Sequence, residues 1–177
     1  YMEIPYLGKC DADNDDDICY SDIIHINSFD IDCEFIIEGY QQDDQKSDFH
    51  NAICNFINLT DDDLKNTEPY IHQYYKDYFN LNHEREKVVQ IQHPKEIWDF
   101  ITPGFEIYIS RRYHGDKKIY ISIECNCEWE SDHGLQLVFR DGNQICKVSP
   151  FDGHLTNSDA YADSSLENVI YVPFRSM

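Results

Sequence analysis

Apolar and polar residues alternate strictly along residues 119–130. The apolar positions are Ile119, Ile121, Ile123, Cys125, Cys127 and Trp129. Successive side chains of a β-strand point to opposite faces of the sheet, so a period of two residues predicts a strand with one buried face. Short strands are also predicted at residues 135–140 and 144–148, and they are joined by Asp141-Gly142, a strong hairpin signal. The segment therefore predicts an antiparallel β-meander.

The N-terminal part of the chain repeats this period in shorter stretches. Strands are predicted at residues 4–7 and 18–26, on either side of an acidic loop at residues 11–17. A further strand is predicted at residues 31–37, where every second residue is apolar. The tract 41–48 is polar and is interpreted as a mobile loop.

Helical spacing replaces the strand pattern at residues 61–79. Apolar and aromatic residues recur there at intervals of three, four and seven, at Leu64, Ile71, Tyr74, Tyr75, Tyr78 and Phe79. Pro69 is an objection to one continuous helix, because an interior proline costs about 3 kcal/mol. The alternative is two helices, with Pro69 in the first turn of the second. A short helix is also predicted at residues 96–101, and a last edge strand at residues 169–172.

The order of these elements is strands, then helices, then strands. This order favours an α+β fold with a mostly antiparallel sheet, a C-terminal β-meander and two or more helices packed on one face. No linker rich in Gly, Pro or Ser divides the chain, so a single domain over residues 1–177 is predicted. The polar tract 41–48 is the only candidate boundary.

Composition narrows the class of protein. A hydrophobic content of 41% argues against a disordered protein, and no apolar run reaches the length of a membrane span. The N-terminus has no signal-peptide pattern. Seven cysteines follow no disulfide framework of small secreted domains. We therefore expect a cytoplasmic protein with reduced thiols and no membrane contact.

The net charge of −20 is concentrated in one part of the chain. Residues 11–63 contain 16 acidic residues and one basic residue, Lys46. Such a field repels nucleic acid and anionic membranes and speeds encounters with a basic protein. The predicted contacts with that partner are Asp13, Asp15 and Asp17 in the acidic loop, and Tyr74, Tyr75 and Tyr78 on the helix. The alternative is that the charge serves solubility alone. The sequence does not determine the oligomeric state.

Two groups of residues invite a metal interpretation. Asp11, Asp13 and Asp15 are spaced like the first ligands of an EF-hand calcium loop, but Asp16 replaces the glycine of the sharp turn. Calcium at these three residues is an alternative, and a solvated acidic turn is favoured.

Cys125 and Cys127, with His133 and His154 downstream, resemble a zinc set. Both cysteines lie in the apolar phase of a strand, so core packing is favoured and no cofactor is expected.

His133, Asp152 and His154 place carboxylates near imidazoles in predicted turns. General acid–base chemistry uses such groups, so a metal-dependent or acid–base hydrolase is the second candidate function. No nucleophile motif such as Gly-x-Ser-x-Gly accompanies them. An aspartate in a turn more often bonds its own backbone. A structural role of these residues is therefore favoured over catalysis.

The second half of the chain carries a longer signature. Residues 127–139 read CEWESDHGLQLVF, and residues 152–156 read DGHLT. This string resembles a family of uncharacterised bacterial domains with a C-x-W-x-x-x-H-G-L-Q-L-V-F motif and a D-G-H-L-T tail. Trp129, His133, Asp152 and His154 are the motif residues, and their role in the family is unknown. The resemblance implies small cytoplasmic proteins, some similar to immunity proteins of toxin systems.

These observations together predict a non-enzymatic, acidic protein-binding module. The resemblance adds the expectation of an immunity-type protein that neutralises a basic toxin. The alternatives are the hydrolase that uses His133, Asp152 and His154, and a calcium-binding protein that uses residues 11–17.

Overall fold

A computed structural model describes residues 1–174 of the protein. The strands are β1 (Met2–Ile4), β2 (Gly8–Asp13), β3 (Ile18–Ser21), β4 (Ile24–Ile26), β5 (Ile31–Glu38), β6 (Ile101–Arg111), β7 (Ile119–Cys127), β8 (Glu130–Arg140) and β9 (Gln144–Ser149). The helices are α1 (Lys46–Ile57), α2 (Asp61–Lys65), α3 (Glu68–Asn82) and α4 (Asn157–Tyr161). Short 3₁₀ helices occupy Pro94–Phe100 and Ser164–Leu166. No helix within residues 1–174 is long and apolar enough to cross a membrane.

The strands form one nine-stranded sheet. Its order is β1-β2-β3-β5-β6-β7-β8-β9, and β4 pairs with β5 beside this path. The pairings of β1 to β5 are antiparallel, whereas β5 and β6 run parallel, with Phe35 opposite Ile107. Strands β7, β8 and β9 form the predicted meander. The prediction of an α+β fold with a mostly antiparallel sheet is confirmed.

The chain divides into two compact units. Unit 1 comprises residues 1–60, 104–123 and 139–144, and unit 2 comprises residues 61–103, 124–138 and the described residues from 145 onwards. The division falls between Thr60 and Asp61 and within strands β6 to β9, and not at the tract 41–48. A single domain over residues 1–177 stays a prediction.

The core of unit 1 is built around α1 and β5. Phe49, Ala52, Ile53 and Phe56 recur at helical spacing and are buried, so α1 presents one apolar face to the core. The ring of Phe56 lies 6.0 Å from that of Phe35 and 5.8 Å from that of Phe139. The alternation predicted at residues 31–37 is confirmed, because Cys33, Phe35 and Ile37 are buried and Asp32 is exposed.

The tract 41–48 is not a free loop. Its last residues begin α1, and the Lys46 amine donates hydrogen bonds to the backbone oxygens of Gln41 and Asp43 at 2.9 and 2.8 Å. Helix α1 was not predicted from the sequence, because its polar first turn was assigned to the loop. Buried residues at Phe49, Ile53 and Phe56 were the available signal.

In unit 2 the helical pattern of residues 61–79 forms two helices. Helix α2 ends at Lys65, and Pro69 lies in the first turn of α3. A proline is tolerated there because the first N–H groups of a helix have no partner within the helix. The two-helix alternative is therefore confirmed. Helix α3 buries Ile71, Tyr74 and Tyr75.

Several predicted boundaries were wrong. The strand predicted at residues 4–7 ends at Ile4, since Tyr6 has a φ of 72°. The predicted strand 18–26 is two strands, β3 and β4. Residues 169–172 form no strand, although the backbone N–H of Val148 donates to Ile170 O at 2.8 Å. The hairpin turn was correct: Asp141 and Gly142 both have positive φ, as a type I′ turn requires.

Candidate functional site

The acidic loop predicted from the sequence is the tip of a β-hairpin in unit 1. We call residues 11–20 the acidic hairpin. Its first strand continues through Asp13, which pairs with Ile18, and Asp11 pairs with Tyr20. Residues 14–17 form the turn. The hairpin thus displays several carboxylates on a short, rigid element.

Most of these carboxylates face solvent. Asp11, Asp13, Asp15 and Asp16 are exposed, and none of them pairs with a cation within residues 1–174. The ring of Tyr20 is 38% exposed and lines a shallow depression together with Asp11, Ala12, Asp13, Asn14 and Asp15. An exposed aromatic ring among unpaired carboxylates is suited to a cationic surface, because the ring supplies contact area and the charges supply attraction.

Asp17 has a different role from its neighbours. Its carboxylate accepts hydrogen bonds from the backbone N–H groups of Gln41 and Gln42 at 2.9 and 3.3 Å. Its backbone oxygen accepts a further bond from the N–H of Gly39 at 2.8 Å. Asp17 therefore fixes the segment after β5 against the hairpin, and its carboxylate is only partly available to a partner.

Arg111 organises the segment next to the hairpin. Its guanidinium holds Asp43 through two bonds, Nε to Oδ2 at 2.7 Å and Nη2 to Oδ1 at 3.1 Å, and lies 2.9 Å from Asp48. The hydrogen bond from Arg111 lowers the pKa of the Asp43 carboxyl from its usual value. Lys118 pairs with Asp141 at 3.2 Å. Arg111 and Lys118 therefore neutralise carboxylates of the same chain.

The three residues of the calcium alternative lie in the first strand and the turn of the acidic hairpin. Asp11 and Asp13 are strand residues, and the Asp13 carboxylate accepts the backbone N–H of Asp15 at 3.1 Å. Among residues 1–174 no group of three or more His, Cys, Asp or Glu side chains is placed to hold a metal ion. Calcium binding at Asp11, Asp13 and Asp15 stays a prediction.

In unit 2 the buried side chain of Glu130 fixes the start of β8. The Glu130 carboxylate is 5% exposed and accepts the backbone N–H groups of Asp132 and His133 at 2.7 and 2.8 Å. The His133 imidazole lies 3.1 Å from the same carboxylate through Nδ1. A carboxylate at the start of β8 therefore holds both the backbone and the side chain of His133.

Trp129 is a core residue of this unit. It is 3% exposed, and its ring centroid lies 5.6 Å from that of Tyr74 and 5.9 Å from that of Tyr75. Its indole N–H has no hydrogen-bond acceptor within residues 1–174. The apolar phase predicted for Trp129 is therefore correct, and the ring packs against α3.

A cavity of about 400 Å³ opens in unit 2 beside this cluster. Its walls include the aromatic side chains of Tyr74, Tyr78 and Phe174, and the polar side chains of Glu130, Asp132 and His133. The structure thus brings His133 and two of the predicted tyrosines to one cavity. Neither Asp152 nor His154 lines it.

The three helix tyrosines differ in exposure. Tyr74 is fully buried and donates its hydroxyl to Gly134 O at 2.8 Å, and Tyr75 is 4% exposed and donates to Val89 O at 2.8 Å. Tyr78 is partly exposed, and its hydroxyl contacts Glu86 at 2.5 Å. A macromolecular partner can therefore reach only Tyr78 without disturbing the core.

Asp152 belongs to a buried network that the sequence analysis missed. Lys147 is fully buried, and its amine donates to Gln136 Oε1 at 3.0 Å, Ser149 Oγ at 2.6 Å and Asp152 Oδ1 at 2.7 Å. Burial lowers the pKa of the Lys147 amine, while the bond to Asp152 acts in the opposite direction.

The same network fixes the turn that carries His154. Asp152 accepts the backbone N–H of His154 at 2.9 Å, as an aspartate does in its own turn, and the His154 ring is exposed. The Asp152 carboxylate is therefore held by Lys147 and by its own turn. A hydrolase that uses His133, Asp152 and His154 stays a prediction.

The cysteines of the zinc alternative lie in the core. Cys125 and Cys127 are 1% and 5% exposed on the buried face of β7. Burial raises the pKa of the Cys127 thiol to about 12, which opposes formation of the thiolate that zinc binds. None of the seven cysteines forms a disulfide within residues 1–174.

Comparisons with known proteins identify a domain family that covers most of the chain. No curated protein and no solved structure matches the chain. One family model, described as a domain of unknown function (DUF6985), matches residues 7–155. This range includes the acidic hairpin, helices α1 to α3 and the whole C-terminal meander. The chain therefore belongs to the DUF6985 family of domains of unknown function.

Proposed function

We propose that this protein is a non-enzymatic binding module that recognises a basic protein through its acidic hairpin. The supporting observation is the set of exposed carboxylates at Asp11, Asp13, Asp15 and Asp16, which have no cationic partner within residues 1–174. Asp43 and Asp48 of the same unit are instead paired with Arg111. A basic partner would supply the missing cations.

The binding mechanism has two steps. The carboxylates of the hairpin first raise the rate of encounter with a positively charged surface, because the field extends over about a Debye length of 8 Å at physiological salt. The exposed ring of Tyr20, which pairs with Asp11 across the hairpin, then supplies apolar contact area. Asp17 keeps the hairpin in place through Gln41 and Gln42.

The finer form of the proposal is an immunity-type protein of the bacterial cytoplasm that masks a basic effector. The sequence signature around Trp129 and His133 supports this form through its resemblance to such proteins. A nuclease toxin is a fitting target class, because a protein that binds nucleic acid presents a basic surface.

The test is affinity capture from a lysate of the source cells, at low and then moderate salt. The bait is compared with a double variant, Asp13→Asn and Asp15→Asn, in which the amide oxygen of residue 13 still accepts the N–H of residue 15. A matched control, Asp61→Asn and Asp62→Asn, removes the same charge from exposed positions in α2.

We expect one basic protein to be retained by the natural bait and by the control, and lost by the hairpin variant. Its association rate constant should fall severalfold with the hairpin variant and decrease as salt increases. Retention that is equal for all three baits, or insensitive to salt, would refute binding through the hairpin. Retention of an unrelated basic protein such as cytochrome c to the same extent would indicate non-specific attraction only.

A further inference from the structure

The cavity in unit 2 has the dimensions of a small-molecule site. Its volume of about 400 Å³ lies within the range of about 300–1,000 Å³ that is typical of ligand pockets. Helix α3 supplies Tyr74 and Tyr78 to its wall, and β8 supplies Glu130, Asp132 and His133. A rigid helix and a strand of the sheet therefore hold the lining residues.

The charge of the lining is negative. Glu130 and Asp132 are carboxylates, and no Lys or Arg is among the lining residues that the structure describes. The Glu130 carboxylate is 5% exposed, and two backbone N–H groups fix its orientation at 2.7 and 2.8 Å. A buried, oriented carboxylate at the wall of a cavity favours a positively charged occupant.

The remaining wall is aromatic. The rings of Tyr74 and Phe174 meet at 79° with centroids 5.9 Å apart, and Tyr78 lies one helical turn from Tyr74. Aromatic faces attract cations electrostatically, most strongly where water is excluded. Aromatic rings beside carboxylates are thus complementary to a cation with an apolar surface, and an inorganic ion offers no such surface.

We propose that this cavity binds a free small organic cation, of the alkylammonium or quaternary ammonium class. The ammonium group lies near Glu130 and Asp132, and its alkyl groups contact Tyr78 and Phe174. The net charge of −20 raises the local concentration of such cations. This site lies in unit 2 and is independent of protein binding through the acidic hairpin.

Two probes and their neutral counterparts test the proposal on the full chain. Choline is compared with its carbon isostere, in which a tert-butyl group replaces the trimethylammonium group, and butylamine is compared with butanol. The readout is nitrogen-15 NMR of the indole groups, because the chain has two tryptophans. Trp129 packs on Tyr74 beside the cavity, and the Trp98 indole N–H donates to Glu68 at 3.1 Å.

We expect at least one of the two cations to shift the Trp129 resonance saturably, and its neutral counterpart to bind at least tenfold more weakly. Tyr78→Leu should weaken binding by about two- to thirtyfold, because a cation–π contact contributes about 0.5–2 kcal/mol. Tyr78→Phe keeps the ring and should bind as the natural protein does. Asp132→Asn should weaken binding, whereas Glu128→Gln, which removes an exposed charge outside the cavity, should have little effect.

Three results would overturn the proposal. One is the absence of a shift with both cations, and another is equal binding of the cations and their neutral counterparts. The third result concerns the source of the ammonium group. If Nα-acetyl-lysine methylamide, which has a free ε-ammonium group, binds at least tenfold more tightly than butylamine, the cavity is assigned to a lysine of another polypeptide. Loss of binding to a basic protein by hairpin variants would leave these outcomes unchanged.

Discussion

The Arg111 guanidinium donates two hydrogen bonds to the Asp43 carboxylate, from Nε to Oδ2 at 2.7 Å and from Nη2 to Oδ1 at 3.1 Å. The two residues are 68 positions apart in the chain. Their side chains are 22% and 14% exposed. Two parallel hydrogen bonds between a guanidinium and a carboxylate are geometrically specific and charge-assisted. This contact anchors the segment before α1 to the last residue of β6.

Arg111→Lys should destabilise the protein, because an ammonium group cannot reproduce the two-point contact. We expect a loss of about 1–3 kcal/mol in the free energy of unfolding, measured by urea denaturation. Lys118→Gln is the matched control, since the pair of Lys118 and Asp141 is more exposed and should contribute under about 1 kcal/mol. Equal losses in the two variants would contradict the special role of Arg111.

The same contact predicts a dependence of stability on pH. Arg111 lowers the pKa of Asp43 in the folded protein, so the unfolded state binds a proton more readily than the folded state. The stabilisation is therefore complete above the ordinary aspartate pKa of about 3.9 and is lost as the pH falls through the lower folded value. The difference in unfolding free energy between the natural protein and Asp43→Asn should be constant from about pH 7 to 5 and shrink below about pH 4. If this difference in unfolding free energy grew as the pH fell, the predicted direction of the pH dependence would be wrong.

Gly142→Ala should be severely destabilising. Gly142 has a φ of 85°, and an added Cβ would lie 1.9 Å from the backbone oxygen of Ala52, which cannot move without shifting α1. We expect a loss of about 3–5 kcal/mol or failure to fold, measured by thermal or urea unfolding. Gly153→Ala is the control: its φ of 80° is similar, but nothing lies within 4 Å of its added Cβ. Its cost should be about 1 kcal/mol, from backbone strain alone.

Lys147→Met should destabilise unit 2 by about 1–3 kcal/mol, because three acceptors lose their donor. A double-mutant cycle with Asp152→Asn measures how much of this loss comes from that single contact. We expect a coupling energy of about 1 kcal/mol or more, since the amine is fully buried. Additive losses would show that Lys147 acts mainly through Gln136 and Ser149.

Local patterns predicted most of the individual elements. The alternation at Cys33, Phe35 and Ile37 and the turn at Asp141-Gly142 depend on neighbouring residues only, and both are confirmed. Pro69 likewise indicated that residues 61–79 form two helices, α2 and α3, as the structure has them. Helix α1 was missed because Gln45 provides no side-chain cap and the polar residues before Phe49 concealed its start.

Features that depend on distant residues were not predictable from one sequence. Lys147 is buried because Gln136 and Asp152 accept hydrogen bonds from its amine. Lysine is rarely buried in proteins, so the sequence near Lys147 does not predict this position. The position of the acidic loop was predicted correctly. The structural role of Asp17, which differs from that of its exposed neighbours, arises from hydrogen bonds with the distant residues Gln41 and Gln42. The cavity beside Tyr78 and His133 likewise results from tertiary packing.

The parallel pairing of β5 and β6 has a consequence for synthesis on the ribosome. Strand β5 ends at Glu38, and its neighbour in the sheet begins only at Ile101. At roughly 5–20 residues per second, the ribosome needs several seconds to make the intervening segment. Throughout that interval the edge of β5 that later joins β6 has no partner from its own chain. The nascent protein therefore passes through a period of exposed strand edge, in which chaperones or other chains compete with β6 for the same backbone groups.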